Sequence, residues 1–378
     1  MKKTLLFSIC LLVTTMAVQA QNTVTIPDTN FLKALISREV DANHDNNIQL
    51  SEAQVVRDLD VSSSSIKDMT GIEFFTALTD LRCQYNQLTN LNVTNNTALV
   101  YLDCLNNNLS ALDVSNNTKL TYLNCGLNNL STLDVRLNKA LTYLGCGFNL
   151  IPTLDVNNNI ALNDIDCSWN ILTTLDLSKN SKLTILNCSV NNLMILDLSK
   201  NTLLTKFNCY DNKQATLDIS KNTVLTYLNC GANKLTTLDL SKNTSLTTLS
   251  CSSNQLTTLE VSNATALTLL ACDRNQFTAL DVSRNTTLTS LNCSFNPNLV
   301  HICINTAQVS KVSSWKKDAT ATWNTACVTG LEDDLPQQTN KTLVRIYTFL
   351  GQEIKPEQAI EGLFIYQYSD GSTRKIAK

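Results

Sequence analysis

Eleven cysteines, Cys83, Cys104, Cys125, Cys146, Cys167, Cys188, Cys209, Cys230, Cys251, Cys272 and Cys293, stand at strict intervals of 21 residues. An asparagine follows three places after each, from Asn86 to Asn296. A chain that repeats at this period must bury the apolar side of each unit against the next copy, as stacked coils. In one copy, Leu120-Thr121-Tyr122-Leu123-Asn124-Cys125-Gly126-Leu127-Asn128-Asn129-Leu130, Leu, Leu and Cys alternate with other residues. This predicts one short strand per coil, Leu and Cys inward, with the strands paired in a parallel sheet at about 4.8 Å per coil. The inward Asn is too polar to be filler. Its amide is expected to satisfy backbone groups where the chain leaves the strand.

This period and spacing carry the leucine-rich-repeat signature, with Cys at an inward Leu position. The fold class expected is a β-rich solenoid of about eleven 21-residue coils, preceded by one 22-residue coil over residues 56–77. In that first coil Leu59, Val61, Ile66, Met69 and Ile72 hold the inward places. A second ladder, Asn96, Asn117, Asn138, Asn159, Asn180, Asn201, Asn222, Asn243 and Asn285, should serve the opposite corner, with Ala264 interrupting it. The Leu-Asp-Val-Ser segment alternates too and predicts a second extended side. The cysteines read as buried thiols, because zinc favours close Cys pairs and adjacent coils are too far apart for disulfides. The carboxylate column from Asp113 to Asp281 could be a calcium rail, but capping of turn N–H groups fits it better.

The solenoid is expected to span residues 56–300, between an N-terminal cap (21–55) and a C-terminal cap (301–330). Residues 1–20 read as a secretory signal: Lys2 and Lys3, an apolar run, then Val18-Gln19-Ala20. In the N-cap, Phe31, Leu35 and Ile36 form a helix face with Asp28 or Thr29 as N-cap residue. Residues 41–52 match an EF-hand loop: Asp41, Asn43, Asp45, the carbonyl of Asn47, Gln49 and Glu52 would hold a structural calcium ion. In the C-cap, Cys303 and Cys327 would form a disulfide around Trp315 and Trp323.

Two segments resemble known families. Ile26-Pro27-Asp28-Thr29-Asn30-Phe31 and Thr70-Gly71-Ile72-Glu73 look like the N-terminal cap of internalin-like repeat proteins from the Bacteroidetes. After a linker (331–342), residues 343–378 resemble a type IX secretion C-terminal sorting domain. That likeness rests on Tyr347-Thr348-Phe349-Leu350-Gly351-Gln352-Glu353-Ile354, Glu361-Gly362-Leu363-Phe364-Ile365-Tyr366, Ser369-Asp370-Gly371 and Lys375-Ile376-Ala377-Lys378, without the family's Tyr-Pro-Asn-Pro opening. It implies export to the cell surface or medium, with the type IX machinery as a partner.

Composition narrows the function. Net charge is −3 and only His44 and His301 are histidines, so neither nucleic-acid binding nor His-based catalysis is expected. No stretch of the mature chain is a transmembrane span. A secreted or cell-surface, non-catalytic binding protein is the favoured reading, with a protein or glycan ligand; a passive stalk is the alternative. The ligand site is expected on the concave, strand-lined side, at Tyr122, Leu127, Tyr143, Phe148, Leu150, Asp164, Asp166, Trp169, Ile171 and Val190. Local clustering of apolar residues there marks an interaction surface, unless Phe148 and Trp169 fold back as extra core.

Overall fold

A computed structural model describes residues 23–326, 343–348, 353–355, 363–368 and 373–377. The expected signal (1–20), linker (331–342), Cys327 and the Asp370-Gly371 turn lie outside the described residues. The chain divides into two compact units, Met1–Trp323 and Asn324–Lys378.

In the first unit, one parallel sheet of twelve three-residue strands runs from Asp58–Asp60 to Ser290–Asn292. Leu59 faces Leu81, an offset of 81 − 59 = 22 residues. Leu123 faces Leu144 and Leu144 faces Ile165, each 21 residues on. The central strand residue and the following Cys are buried throughout, and the eleven ladder cysteines are free thiols. Burial pushes Cys188 and Cys230 up to about 12. They therefore pack as small hydrophobes.

The inner asparagines sew neighbouring coils together. Asn149 Nδ2 donates to the Cys125 and Cys146 carbonyls at 3.0 and 3.1 Å, and its Oδ1 accepts from Leu130 N–H at 2.9 Å. Every inner ladder position thus replaces a backbone partner that the turning chain cannot supply. In the outer ladder only the donors are used. Asn117 Nδ2 reaches the Val93 and Asn96 carbonyls at 2.9 Å each, while its Oδ1 is buried without a partner. Gln308 closes this ladder, donating to the Val282 and Asn285 carbonyls at 3.1 and 2.8 Å.

The expected second extended side is paired only in fragments: the Asn92–Asp113 and Glu260–Asp281 bridges, and Ala279–Asp281 against His301–Cys303. The carboxylate column caps a turn on each coil along this side. Asp113 Oδ1 accepts from Ser115 N–H at 2.9 Å, and Asp176, Asp197, Asp218 and Asp239 repeat the contact two residues on. Each carboxylate closes a turn, so the chain bends where a strand would continue. These bonds hold the carboxyls below their ordinary range.

The N-cap helix Thr29–Ser37 is capped by Asp28, whose Oδ1 accepts from Asn30 and Phe31 N–H at 2.8 and 3.1 Å. Its Oδ2 accepts from Lys67 and Asp68 N–H at 2.7 and 3.1 Å, tying the helix to the first coil. The buried helix face is Phe31, Ala34 and Leu35; Ile36, expected inward, is only half-buried. At the other end Lys316 continues the sheet: Cys293 N–H reaches its carbonyl and its own N–H reaches Leu291 O, both at 2.9 Å. Asp318 takes the N–H groups of Phe295 and Asn296 at 2.8 and 2.6 Å. Trp315 is buried there, its indole donating to Thr289 O at 3.2 Å. Cys303 is disulfide-bonded.

In the second unit Glu353–Ile354, Leu343–Thr348, Leu363–Tyr368 and Thr373–Ala377 form a four-stranded antiparallel sheet in that spatial order.

Candidate ligand-binding face

The sheet's outer face is set by the strand residues on either side of the buried central one. Along one column Tyr101, Tyr122 and Tyr143 stand in register, followed by Asp164, Ile185 and Lys206. Strand spacing brings the tyrosine rings into a stack, with centroids 4.2 and 4.4 Å apart and planes within 6° and 8°. Tyr143 lies down over the next outward position, which is Gly145. A Cβ there would sit 2.8 Å from the Tyr143 hydroxyl. Burial, then Asp166 and Asp164, push the Tyr143 phenol up to about 12. Burial and the neighbouring Asp166 also raise Asp164. Asp166 is fixed in direction by Ser168, whose N–H and hydroxyl donate to it at 3.0 and 2.6 Å.

Just past the strands, Leu127, Phe148, Trp169 and Val190 occupy a column with φ of 51°, 56°, 52° and 53°. This is left-handed backbone, natural for Gly or Asn and strained for bulky or branched side chains. Ladder bonds enforce it: Phe148 N–H reaches Ser168 O and Trp169 N–H reaches Ser189 O, both at 2.8 Å. The side chains gain no core in return. Phe148 and Trp169 are 45% and 50% exposed, and they stack on each other at 4.9 Å. They do not fold back over the coil edge. Leu127, Leu150 and Ile171 are exposed beside them, and Val190 is half-buried. Of the residues expected at the site, Tyr122, Tyr143, Asp164 and Asp166 share the strand face, and Leu127, Phe148, Trp169 and Val190 form the column just past it. Sequence reading missed Arg82 and the role of Tyr101: the Arg82 guanidinium lies 4.9 Å over the Tyr101 ring. The signal was available, since Arg82 sits one coil before Tyr101, two places past Asp80. Met194 and Ile195, also exposed, were not anticipated.

The loop over residues 41–52, expected to hold calcium, turns its oxygen donors inward. Glu52 accepts from the N–H groups of Ala42, Asn43 and Gln49 at 2.9, 3.2 and 2.8 Å. Asp41 accepts from Asp45 and Asn46 N–H at 3.2 and 2.9 Å, and Asp45 from the Asn43 and Gln49 amides at 3.2 and 2.9 Å. Among the described residues no three acidic, histidine or cysteine side chains gather to hold a metal ion. The oxygen donors suit a hard cation by type, but here they are turned onto the loop's own N–H groups.

No family model matches the chain. Internalin J of Listeria monocytogenes serotype 4b (strain F2365) is 38% identical over 71 residues, 19% of this chain and only 8% of that protein. The functional domain of InlJ from Listeria monocytogenes, which includes a cysteine ladder, is similar over 93% of this chain and 97% of its own, at 29% identity and TM-score 0.54. The chain is a leucine-rich-repeat solenoid similar to these internalins. The repeat fold also occurs in a plant peptide hormone receptor, RGFR1, solved in complex with RGF2. It shares the fold at 20% identity and TM-score 0.55, over 70% of this chain and 46% of the receptor. Among the described residues no helix is long and apolar enough to cross a membrane.

Proposed function

We propose that the chain is an exported, non-catalytic binding protein that docks a protein partner on the sheet face between the Cys125 and Cys188 coils. One observation carries this: bulky apolar side chains stand exposed in left-handed backbone, where they cost stability and fill no core. Strain kept at exposed positions marks function. Aromatic clustering supports it, since Trp and Tyr anchor interfaces. The complex of the similarly folded RGFR1 with RGF2 supports a polypeptide ligand. A passive stalk would have no use for a local apolar cluster. The double variant Phe148→Ser/Trp169→Ser should lose partner binding at least about a hundredfold while melting nearly unchanged. A large loss of stability instead would mean that the rings are core.

Export rests on the signal-like residues 1–20, and surface delivery on the likeness of residues 343–378 to a type IX sorting domain. Truncation after Gly330 should leave the melting of the repeat unit in place and stop the protein reaching the surface or medium. Calcium at residues 41–52 is a proposal of residue type alone. Calorimetry in which calcium gives no heat, with melting unchanged by chelator, removes it.

A further inference from the structure

We propose that the open end of the tyrosine stack, with Asp164 and Asp166 beside it, receives an arginine side chain of the polypeptide partner; this rests on the reading of the sheet face as protein-binding. The molecule contains one finished copy of such an arrangement. At the stack's first end, Arg82 lies 4.9 Å over the Tyr101 ring and pairs with Asp58 and Asp80 at 2.9 and 3.7 Å. A planar cation rests on a tyrosine face and is held by carboxylates of the same sheet. Tyr122 is covered on both faces by its neighbours, and Tyr143 on one face only. Among the described residues no ring and no guanidinium lies over the far side of Tyr143.

Beyond Tyr143 along the sheet stand Asp164, in register with it, and Asp166 on the same strand. Among the described residues neither carboxylate has a cation within ion-pair distance. Lys206, the next cation of that column, stands two coils further on. Burial and the neighbouring Asp166 raise Asp164, and Lys206 offsets them only in part. The first end has acids, ring and arginine; the second has acids and ring.

The ring geometry also sorts ligand classes. Tyr101, between Arg82 and Tyr122, and Tyr122, between two rings, have no open face; Tyr143 keeps one, and the carboxylates beside it favour a cation there over a neutral sugar. A guanidinium needs a single face and carboxylate oxygens set for its fork, which an ammonium does not match.

The test titrates the full chain with the tripeptide amide Leu-Arg-Leu, its lysine counterpart and its neutral citrulline isostere, followed by NMR up to millimolar concentration. The arginine peptide is expected to bind at least tenfold tighter than the citrulline one. The gap should close in Asp164→Asn/Asp166→Asn, and the preference over lysine should shrink in Tyr143→Leu, with melting checked for each variant. Equal binding of the arginine and citrulline peptides overturns the arginine subsite. If Phe148→Ser/Trp169→Ser still abolishes that binding, the protein-binding face itself stands. A gap that survives in Asp164→Asn/Asp166→Asn also overturns the subsite, as does failure of all three peptides to bind. Binding of oligosaccharides through Trp169 in place of peptides overturns both readings.

Discussion

The coils of Cys125 to Cys188 and those of Cys209 to Cys272 share one frame and carry opposite surfaces. At the left-handed position the first group has Leu127, Phe148, Trp169 and Val190; the second has Asp211, Ala232, Ser253 and Arg274, with φ of 52° to 57°. The inner asparagine bonds match as well. Asn170 reaches the Cys146 and Cys167 carbonyls at 3.0 and 3.2 Å, and Asn254 reaches those of Cys230 and Cys251 at 3.0 Å each. A backbone that accepts Asp and Trp alike does not choose between them. What distinguishes the two groups is therefore not the needs of folding.

The largest test of that equivalence removes the shared part. Asn170→Ala and Asn254→Ala each delete three donated contacts and the acceptor of one buried N–H, of Ile151 or Leu235. Each should cost about 3–4 kcal/mol in denaturant unfolding. Costs differing by more than about 1 kcal/mol would show that the frames are not equivalent after all.

Gln214 lies in the first coil of the polar group, where neighbouring coils have Leu193 and Leu235. It is fully buried, and both its amide oxygen and nitrogen lack partners. Gln214→Leu should stabilise by about 2–3 kcal/mol, because each orphaned group carries a desolvation cost. No gain would mean that the amide finds partners the geometry does not show.

The repeat made most of this frame legible. Strand, thiol column, inner asparagines and turn-capping carboxylates all follow from period and alternation, because each coil meets only copies of itself. Legibility fails where that repetition ends or is overridden. Gln308 and Asp318 complete the last coil from outside the 21-residue rhythm, so nothing in the period announces them. The bulky residues at the left-handed position hide its conformation; only Asn106 and Asp211 hint at it. The second side was legible as alternating, and its turn-capping carboxylates as such, but not how little of it would pair.

Relieving the strain should separate the groups more finely. Val190 is β-branched, the type least suited to its φ of 53°. Val190→Asn should stabilise by about 1 kcal/mol, while Ser253→Asn should change little. Equal effects would remove strain as the mark of the binding face.

The smallest effect concerns the carboxylate column, which runs through both groups but differs at Asp134. There the Arg136 side chain, at 3.0 and 2.7 Å, and then its N–H lower the carboxyl to about 2. In the second group Asp218 and Asp239 are lowered chiefly by the N–H of a serine two residues on. Arg136→Ser restores that serine, so Asp134 should titrate higher, alongside Asp218 and Asp239 in a carbon NMR titration. A carboxyl lowered by folding adds stability that is full above its ordinary 3.8 and fades as pH falls toward 2. Both partners are more than half exposed, at 59% and 61%, so solvent screening keeps the change in stability small. Molar salt should move wild-type Asp134 in the same direction, since exposed pairs are screened within about 3 Å at that strength. An Asp134 that stays near 2 in Arg136→Ser would mean that the turn, and not the ion pair, sets its proton affinity.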